Sequence, residues 1–409
     1  MRTGQRLGTL GGGALVTTNL ESPAELRFLR AAFRALRRSA DRLLRRRWPW
    51  LYVWLFEDLR IRLILWTRPR RLDPAAERLA ESAALDRGYS NALQQRIARP
   101  LDAARFYLAS WSRGIDARKP FPGFHPGVYA SARRLDERIE PLMHFLAAAR
   151  PPGPWCAELI EPSPGPGPGL PDAGRCALHI HAHYPELLPR MLQALQLNQS
   201  RPDLLVSVSN DDALRQVSEQ LADYPGRVVV RQLPNRGRDL APLFTGFRDE
   251  IVGRYDIIGH MHTKKSPYNG DFGARWGDFL RENLLGGRAP MLDLILARMA
   301  GDTGIGMVFP DDPRAEGWRT NRGFADGLAH RMGWQALPDS FWFPMGSMFW
   351  ARVPALQPVW SLDLSWEDYT PEPVPLDGSM LHALERMLGL CAPAMGLRNV
   401  LTHVPGVTL

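Results

Sequence analysis

Cys176-Ala-Leu-His-Ile-His-Ala-His-Tyr184 opens the stretch that decides the fold. Its first six residues form a short, mostly apolar run. Three more such runs follow: Leu204-Leu-Val-Ser-Val-Ser209, Val228-Val-Val-Arg-Gln232 and Tyr255-Asp-Ile-Ile-Gly-His260. Runs of this length, rich in branched residues, read as strands buried on both faces. Helical stretches lie between them, at about Glu186–Leu197, Ala213–Ala222 and Ala241–Arg254. Strand–helix alternation requires right-handed crossovers, so the expected fold class is α/β, a mainly parallel sheet with helices on both faces. Ligands in such sheets collect beyond the carboxyl ends of the strands. All four ends carry polar clusters here: His181-Ala-His183-Tyr184, Asn210-Asp211-Asp212, Asn235-Arg-Gly-Arg-Asp239 and His260-Met-His-Thr-Lys-Lys-Ser266.

Working outward, Pro162-Ser-Pro-Gly-Pro-Gly-Pro-Gly-Leu-Pro171 suits neither helix nor sheet interior, because proline lacks a donor and glycine is entropically costly to fix. It reads as an exposed linker over 162–174, ahead of a domain spanning 175–409. Before it, 72–161 reads as a mostly helical accessory region with a degenerate repeat. Asp102-Ala-Ala-Arg-Phe-Tyr-Leu108 and Glu140-Pro-Leu-Met-His-Phe-Leu146 align at an offset of 38 residues.

Residues 1–71 hold 16 arginines against five carboxylates, a net +11, which leaves −3 for the rest of the chain. Ser22-Pro-Ala-Glu25 resembles a capping box, and Leu26, Leu29, Phe33, Leu36, Ala40 and Leu43 then share one helix face. With the aromatic-rich Trp48–Trp66 that follows, this segment reads as an anchor on an anionic membrane surface. A basic helix packed on the protein's own core is the alternative. Trp50–Trp66 holds Glu57, Asp58, Arg60 and Arg62, at about 2.5–3.5 kcal/mol for each central Asp, Lys or Arg, so it is not expected to span a bilayer. Three scattered cysteines form neither a disulfide framework nor a zinc motif. The expected location is therefore cytoplasmic, peripheral on the inner face of the cell membrane. No zinc, RNA-recognition or helix-turn-helix motif accompanies the arginines, so nucleic acid is not an expected partner.

The strand-end groups suit a nucleoside-diphosphate ligand. Asn210 and Asp211 can hydrogen-bond a base and ribose. Arg236 and Arg238 flank a glycine that permits close backbone approach, and Lys264 and Lys265 can neutralise diphosphate charge. A solvated loop, with an arginine paired to Asp239, is the plainer alternative. His179, His181 and His183 alternate along one strand, and His260 and His262 repeat the spacing, which leaves a metal-dependent hydrolase or deacetylase as a competing reading. A non-catalytic assembly scaffold is another.

Five blocks between about 176 and 402 resemble the rhamnan synthesis protein F family, glycosyltransferases of rhamnose-containing polysaccharides and O-antigens. They are His181-Ala-His-Tyr-Pro-Glu-Leu187, Asn235-Arg-Gly-Arg-Asp-Leu-Ala-Pro242, His262-Thr-Lys-Lys-Ser266, Gly346-Ser-Met-Phe-Trp-Ala-Arg352 and Asp377-Gly-Ser-Met-Leu-His-Ala-Leu-Glu-Arg386. The repeats of the accessory region resemble short repeats that accompany such enzymes. The resemblance implies a GT-A-like sheet and a rhamnosyl-type transferase in rhamnan or lipopolysaccharide O-antigen synthesis. It implies deoxythymidine-diphosphate-L-rhamnose (dTDP-L-rhamnose) as nucleotide-sugar donor and a lipid-linked glycan as acceptor. It places His181, Tyr184, Asn235, Arg236, Arg238, Asp239, His262 and Lys265 at the donor, with Lys264 and Asp377 catalytic. His260-Met-His262 falls where many GT-A enzymes carry an Asp-x-Asp metal motif. A divalent ion is therefore in doubt, no metal ligands are assigned, and the two lysines are expected to substitute for its charge. One departure is local: Trp276 is followed by Gly277, where the family tends to show Trp-Arg. For an inverting displacement Asp377 is the candidate base, with Glu367 and Asp368 as alternatives; Asp377 as a helix cap is the competing role.

Overall fold

The computed structural model describes residues 58–90, 95–112, 114, 118–163, 174–264 and 271–407. Two compact units divide the chain after Leu63. The first contributes only 58–63 to the described residues, the opening of the helix Leu59–Trp66, so the anchor expectation for 1–57 lies outside them. Among the described residues no helix is long and apolar enough to cross a membrane.

Eight strands make one sheet: β1 (Leu159–Ile160), β2 (Cys176–His181), β3 (Asp203–Val208), β4 (Val228–Gln232), β5 (Ile257–His262), β6 (Ile305–Pro310), β7 (Phe349–Arg352) and β8 (Arg398–Thr402), in the order β1-β8-β6-β7-β5-β2-β3-β4. Every pairing is parallel except the two made by β7, which runs antiparallel between β5 and β6. The carboxyl ends of seven strands and the amino end of β7 therefore lie along one edge. The α/β architecture expected from the four leading runs is the one found, and β1, upstream of the 162–174 segment, joins the same sheet as β8's partner.

Side-chain alternation divides the interior into two layers. Leu178, Ile180, Leu204, Val206, Met261 and Trp350 face the helices Leu188–Gln196, Asp211–Gln220, Asp271–Leu284 and Met291–Gly301. Ala177, Leu205, Ile258, Met307, Phe349 and Ala351 face Arg322–Arg331 and the long helix Met380–Ala394. The stretch expected as one helix, Ala241–Arg254, is broken. A wide π-type turn over Pro242–Gly246 precedes a single helical turn, Arg248–Ile251. Gly246 lies so close to Leu233 that a Cβ would come within 2.4 Å of its Cδ1.

The preceding region folds as short helices, among them Asp73–Glu81, Pro100–Ser112, Pro126–Arg133 and Pro141–Ala147. The last two start with proline behind capping side chains, His125 accepting from Val128 N–H and Glu140 from Leu142 and Met143 N–H. Both halves of the repeat are helical and contribute Tyr107, Leu108, Leu142 and Phe145 to one apolar cluster with Phe124, Tyr129 and Trp155. This layer belongs to the same compact unit as the sheet. Lys119 Nζ reaches Asp311 Oδ1 at 2.6 Å just beyond β6, and Gly123 N–H donates to Asp311 Oδ2 at 2.7 Å, all in the interior.

Gly389 marks the tightest approach of the Met380–Ala394 helix: a Cβ there would sit 1.8 Å from the Trp342 carbonyl oxygen. Gly389→Ala is expected to destabilise the unit by about 1–3 kcal/mol, the usual cost of overpacking. Gly323→Ala, in a helix where a Cβ meets nothing within 4 Å, should stabilise by roughly 0.5–1 kcal/mol. Urea unfolding midpoints of the two variants check both signs.

Candidate active site at the carboxyl edge

On the central strands the apolar pattern of one face stops before the carboxyl edge. Past Ala177, β2 presents His179 and His181; past Ile258, β5 presents His260 and His262; past Leu205, β3 presents Ser207. The strands are in register, so His179 lies beside His260, and His181 lies between Ser207 and His262. Period-2 alternation has produced a polar patch inside the sheet.

These side chains hydrogen-bond in sequence. His181 Nδ1 is 2.9 Å from Ser207 Oγ, and Ser207 Oγ is 3.2 Å from His179 Nε2. His179 Nδ1 is 2.9 Å from His260 Nδ1, with the two rings stacked at 5.0 Å. His260 Nε2 is 3.2 Å from Asp239 Oδ2, which also accepts the Ser347 hydroxyl. Burial pushes His179 well below the ordinary imidazole range, His181 to about 3, and His262 lower than usual. His179 and His181 are neutral at pH 7. Burial works to raise Asp239, but His262, His260 and the Ser347 hydrogen bond outweigh it and hold the carboxyl well below its usual range.

The loop after β4 delivers that carboxylate. Gly237 has φ +71°, and a Cβ there would lie 2.4 Å from Ala241 Cβ and 2.9 Å from the Tyr369 ring, so only glycine fits. Arg238 follows at φ +51°, and the chain turns Asp239 inward. The arginines on either side of Gly237 diverge. Arg236 donates to the carbonyls of Tyr369 (2.9 Å) and Glu367 (2.8 Å), pinning that turn. Arg238 is exposed and lies 3.4 Å from His382 Nε2, with a bond to the Val374 carbonyl at 3.2 Å.

Lys264 ends β5's cluster with its ammonium 3.6 Å above the Trp276 ring, and Arg314 lies 4.6 Å from the same ring. Burial lowers Lys264 to about 8; Glu385 and Asp239 pull it upward, while Arg314 and Arg238 push it further down. Glu385, raised by burial, accepts Gly346 N–H at 2.6 Å. His262 Nε2 meets the Gly346 carbonyl at 3.0 Å. Three cations and two carboxylates thus share one electrostatic neighbourhood at the sheet's carboxyl edge.

Asp377 stands at the rim. Its Oδ1 accepts Asn321 Nδ2 at 2.7 Å, its Oδ2 accepts Thr320 Oγ1 at 3.3 Å, and Arg386 lies 3.7 Å away. Burial alone would raise its pKa, but Asn321 and Arg386 more than offset it, and the net shift is downward. The helix N-cap is Ser379, not Asp377, and Asn321 Oδ1 accepts the Gly378 and Ser379 N–H groups.

Of the groups expected from sequence, His181, Arg238, Asp239, His262 and Lys264 come together. Asn210 and Asp211 sit exposed at the start of the helix that packs on the opposite face, where Asn210 Oδ1 caps by accepting Ala213 N–H at 2.9 Å. Asn235 is exposed on its loop. Tyr184 N–H donates to Thr263 Oγ1 at 2.8 Å, and its ring meets His183 edge-on. Lys265 lies outside the described residues. Glu367 contributes its backbone carbonyl to Arg236, and Asp368 caps its own turn through Ser365. Sequence reading assigned no site role to Ser207, Trp276, Arg314, Ser347, His382 or Glu385. Ser207 carried a signal, a lone hydroxyl on the inner face of a strand, and Ser347, His382 and Glu385 lie within the last two blocks of the resemblance. Among the described residues no group of three or more His, Cys, Asp or Glu side chains is arranged to hold a metal ion. The histidine nitrogens are instead directed at one another, at Ser207 and at Asp239.

Two proteins of Xanthomonas campestris pv. campestris, from strain B100 and a second strain, are each described as uncharacterized protein WxcX. Each is 29% identical over 222 residues, which cover 54% of this chain and 31% of theirs. The chain therefore spans about a third of the length of the curated relatives it matches. A solved structure of glucosyl-3-phosphoglycerate synthase from Mycobacterium tuberculosis, in complex with Mn2+, uridine diphosphate and glucosyl-3-phosphoglycerate, is 15% identical, with a TM-score of 0.27 over 61% of this chain and 78% of that one. That superposition is too loose for residue-by-residue correspondence. Residues 168–396 match the model of rhamnan synthesis protein F. The match runs from β2 through the Met380–Ala394 helix and takes in every member of the strand-end cluster, and by it this chain belongs to the rhamnan synthesis protein F family.

Proposed function

We propose that the chain is a glycosyltransferase of polysaccharide synthesis that binds a nucleoside-diphosphate sugar at the carboxyl edge of its sheet. One observation carries the reading. Arg238, Lys264 and Arg314 gather near the Asp239 carboxylate at the edge where α/β sheets place their ligands, and burial, with Arg314 and Arg238 nearby, lowers the basicity of Lys264. A diphosphate bound there would meet charge-assisted donors and relieve the repulsion on the Lys264 ammonium. The same cations would stabilise it as a leaving group, which is where transition-state charge develops. They take the place of a divalent ion.

In this reading Lys264 and Arg238 grip the diphosphate. Lys265 and Arg236 extend the basic edge, and Asn210, Asp211 and Asn235, exposed at the neighbouring ends of β3 and β4, take the nucleoside. Tyr184, His181 and His262 border the sugar. Asp377 sets the start of the Met380–Ala394 helix near His382 and Arg238, and we assign it to positioning. Family membership favours dTDP-L-rhamnose as donor and a lipid-linked glycan as acceptor. The arginine-rich residues 1–71 are assigned to the anionic inner face of the membrane that carries such an acceptor.

The direct test is release of deoxythymidine diphosphate from dTDP-L-rhamnose with a polyprenyl-linked glycan, in the presence of a chelator. Lys264→Ala and Arg238→Ala should each weaken deoxythymidine-diphosphate binding about 10- to 100-fold, the worth of a charge-assisted hydrogen bond of roughly 1.5–3 kcal/mol. Unchanged calorimetric affinity in both variants would remove the diphosphate from this edge.

The depressed Lys264 also sets a pH dependence. Its pKa lies at about 8. As pH rises through that value the ammonium loses its proton and the attraction for an anion goes with it. Affinity for deoxythymidine diphosphate should thus be flat from pH 6 to 7.5 and fall above pH 8. Lys264→Arg, whose guanidinium keeps its charge to beyond pH 12, should hold affinity level to about pH 10. Titration calorimetry across this range reads both curves.

A further inference from the structure

The carboxylate of Asp239 fixes every proton in the hydrogen-bonded chain behind it. An ionised carboxylate only accepts, so His260 donates from Nε2. With a single proton on the His260 ring, its Nδ1 is bare and accepts from His179 Nδ1–H at 2.9 Å. His179 Nε2 is then bare and accepts the Ser207 hydroxyl hydrogen at 3.2 Å. The Ser207 oxygen in turn accepts His181 Nδ1–H at 2.9 Å. With one proton on each ring, a single arrangement of tautomers satisfies all four bonds, and it leaves a lone pair on His181 Nε2. That nitrogen makes no hydrogen bond among the described residues, and it stands at the end of β2, paired with His262 of β5. Phe247 packs 5.2 Å from the His179 ring and Phe349 5.7 Å from His260, so the middle of the chain is walled by apolar rings.

We propose that His181, Ser207, His179, His260 and Asp239 form a proton relay whose open end, His181 Nε2, takes the proton of the acceptor hydroxyl during sugar transfer. This rests on the transferase reading above. As the acceptor oxygen bonds to the sugar's anomeric carbon, the bond from that carbon to the diphosphate oxygen breaks, and its electron pair leaves with the diphosphate. The acceptor proton passes to His181 Nε2. His181 Nδ1–H moves to the Ser207 oxygen, the Ser207 hydrogen to His179 Nε2, and His179 Nδ1–H to His260 Nδ1. The result is one imidazolium, His260, beside the Asp239 carboxylate, and no other group has changed charge. A base buried as deeply as His181 is weak alone; the relay moves the charge to the one place where an anion waits. Reversal of the same shifts returns the proton to solvent. The charged and titratable groups around the chain are Asp239, His262, Lys264, Arg238 and Glu385, with His183 next to His181. His181 is the catalytic residue of the set, and the other four act through it.

Two measurements on the full chain decide this. Long-range nitrogen–proton spectra of 15N-histidine-labelled protein at pH 7 should show His181 and His179 protonated on Nδ1 and His260 on Nε2. The opposite tautomer, or a cation, at any of the three overturns the relay. Ser207→Ala removes the central link without touching a ligand. It should lower kcat about 100-fold or more, within the range of general acid–base effects, leave the donor KM within about twofold, and shift the pH–rate profile. Ser207→Thr, which keeps the hydroxyl, should recover most of the rate. A folded Ser207→Ala enzyme with the parent kcat and pH profile overturns the proposal. A parent chain that turns over no sugar nucleotide overturns the transferase reading instead, and the nitrogen spectra still rule on the relay.

Discussion

A buried, ionised Asp239 is the constraint on which this architecture turns. A carboxylate removed from water is costly unless donors meet it. Here two converge on Oδ2, from β5 through His260 and from the residue two before β7, Ser347. The carboxylate itself arrives on the loop after β4. Both approaches need left-handed backbone, Gly237 and Arg238 at φ +71° and +51° on one side, Gly346 and Ser347 at +88° and +58° on the other. A non-glycine residue in that region is costly, and such conformations persist where surroundings over-determine them. Two such turns converging on one carboxylate make it the keystone of the edge.

Around that charge the site divides into a neutral half and a cationic half. Inward lie His179 and His181, held uncharged by burial, in a hydrogen-bonded row with Ser207 and His260. Outward lie Lys264, Arg314 and Arg238. Arg314 is anchored by Asp312 at 2.8 Å, and Trp276 lies against both Lys264 and Arg314, so a carboxylate and an aromatic ring place these cations. Burial is the main cause of the lost basicity at Lys264, and Arg314 and Arg238 add to it.

The sheet was legible because β2 to β5 are local, each an apolar run separated from the next by a helix, and the parallel crossover rule then places four strand ends on one edge. That rule alone brought His181, Asp239, His262 and Lys264 into one region. It also put Asn210 and Asp211 on the same edge, but edge position does not choose a face. Asn210 begins a helix that covers the other layer, and its oxygen caps that helix. Long-range partners were out of reach for a different reason. Ser347 and Glu385 come close only because β7 inserts between β5 and β6, a pairing with no signature in local periodicity. The Ala241–Arg254 helix was misjudged because alternation of apolar residues cannot register the close approach of Gly246 to Leu233.

The exit of β6 binds the helical layer to the cationic half of the site. Asp311 receives Lys119 and the Gly123 N–H from the layer that precedes the sheet, and the next residue, Asp312, holds Arg314. Lys119 also lies 4.5 Å from the Trp342 ring, beside which His125 packs edge-on. A displacement of the helical layer would leave Asp311 buried without its counter-ion, a cost of several kcal/mol by the usual arithmetic of broken buried pairs. The same displacement would disturb the turn that carries Arg314. The region with the degenerate repeats is therefore part of the wall that positions the cations, because two adjacent carboxylates on one short turn answer to both.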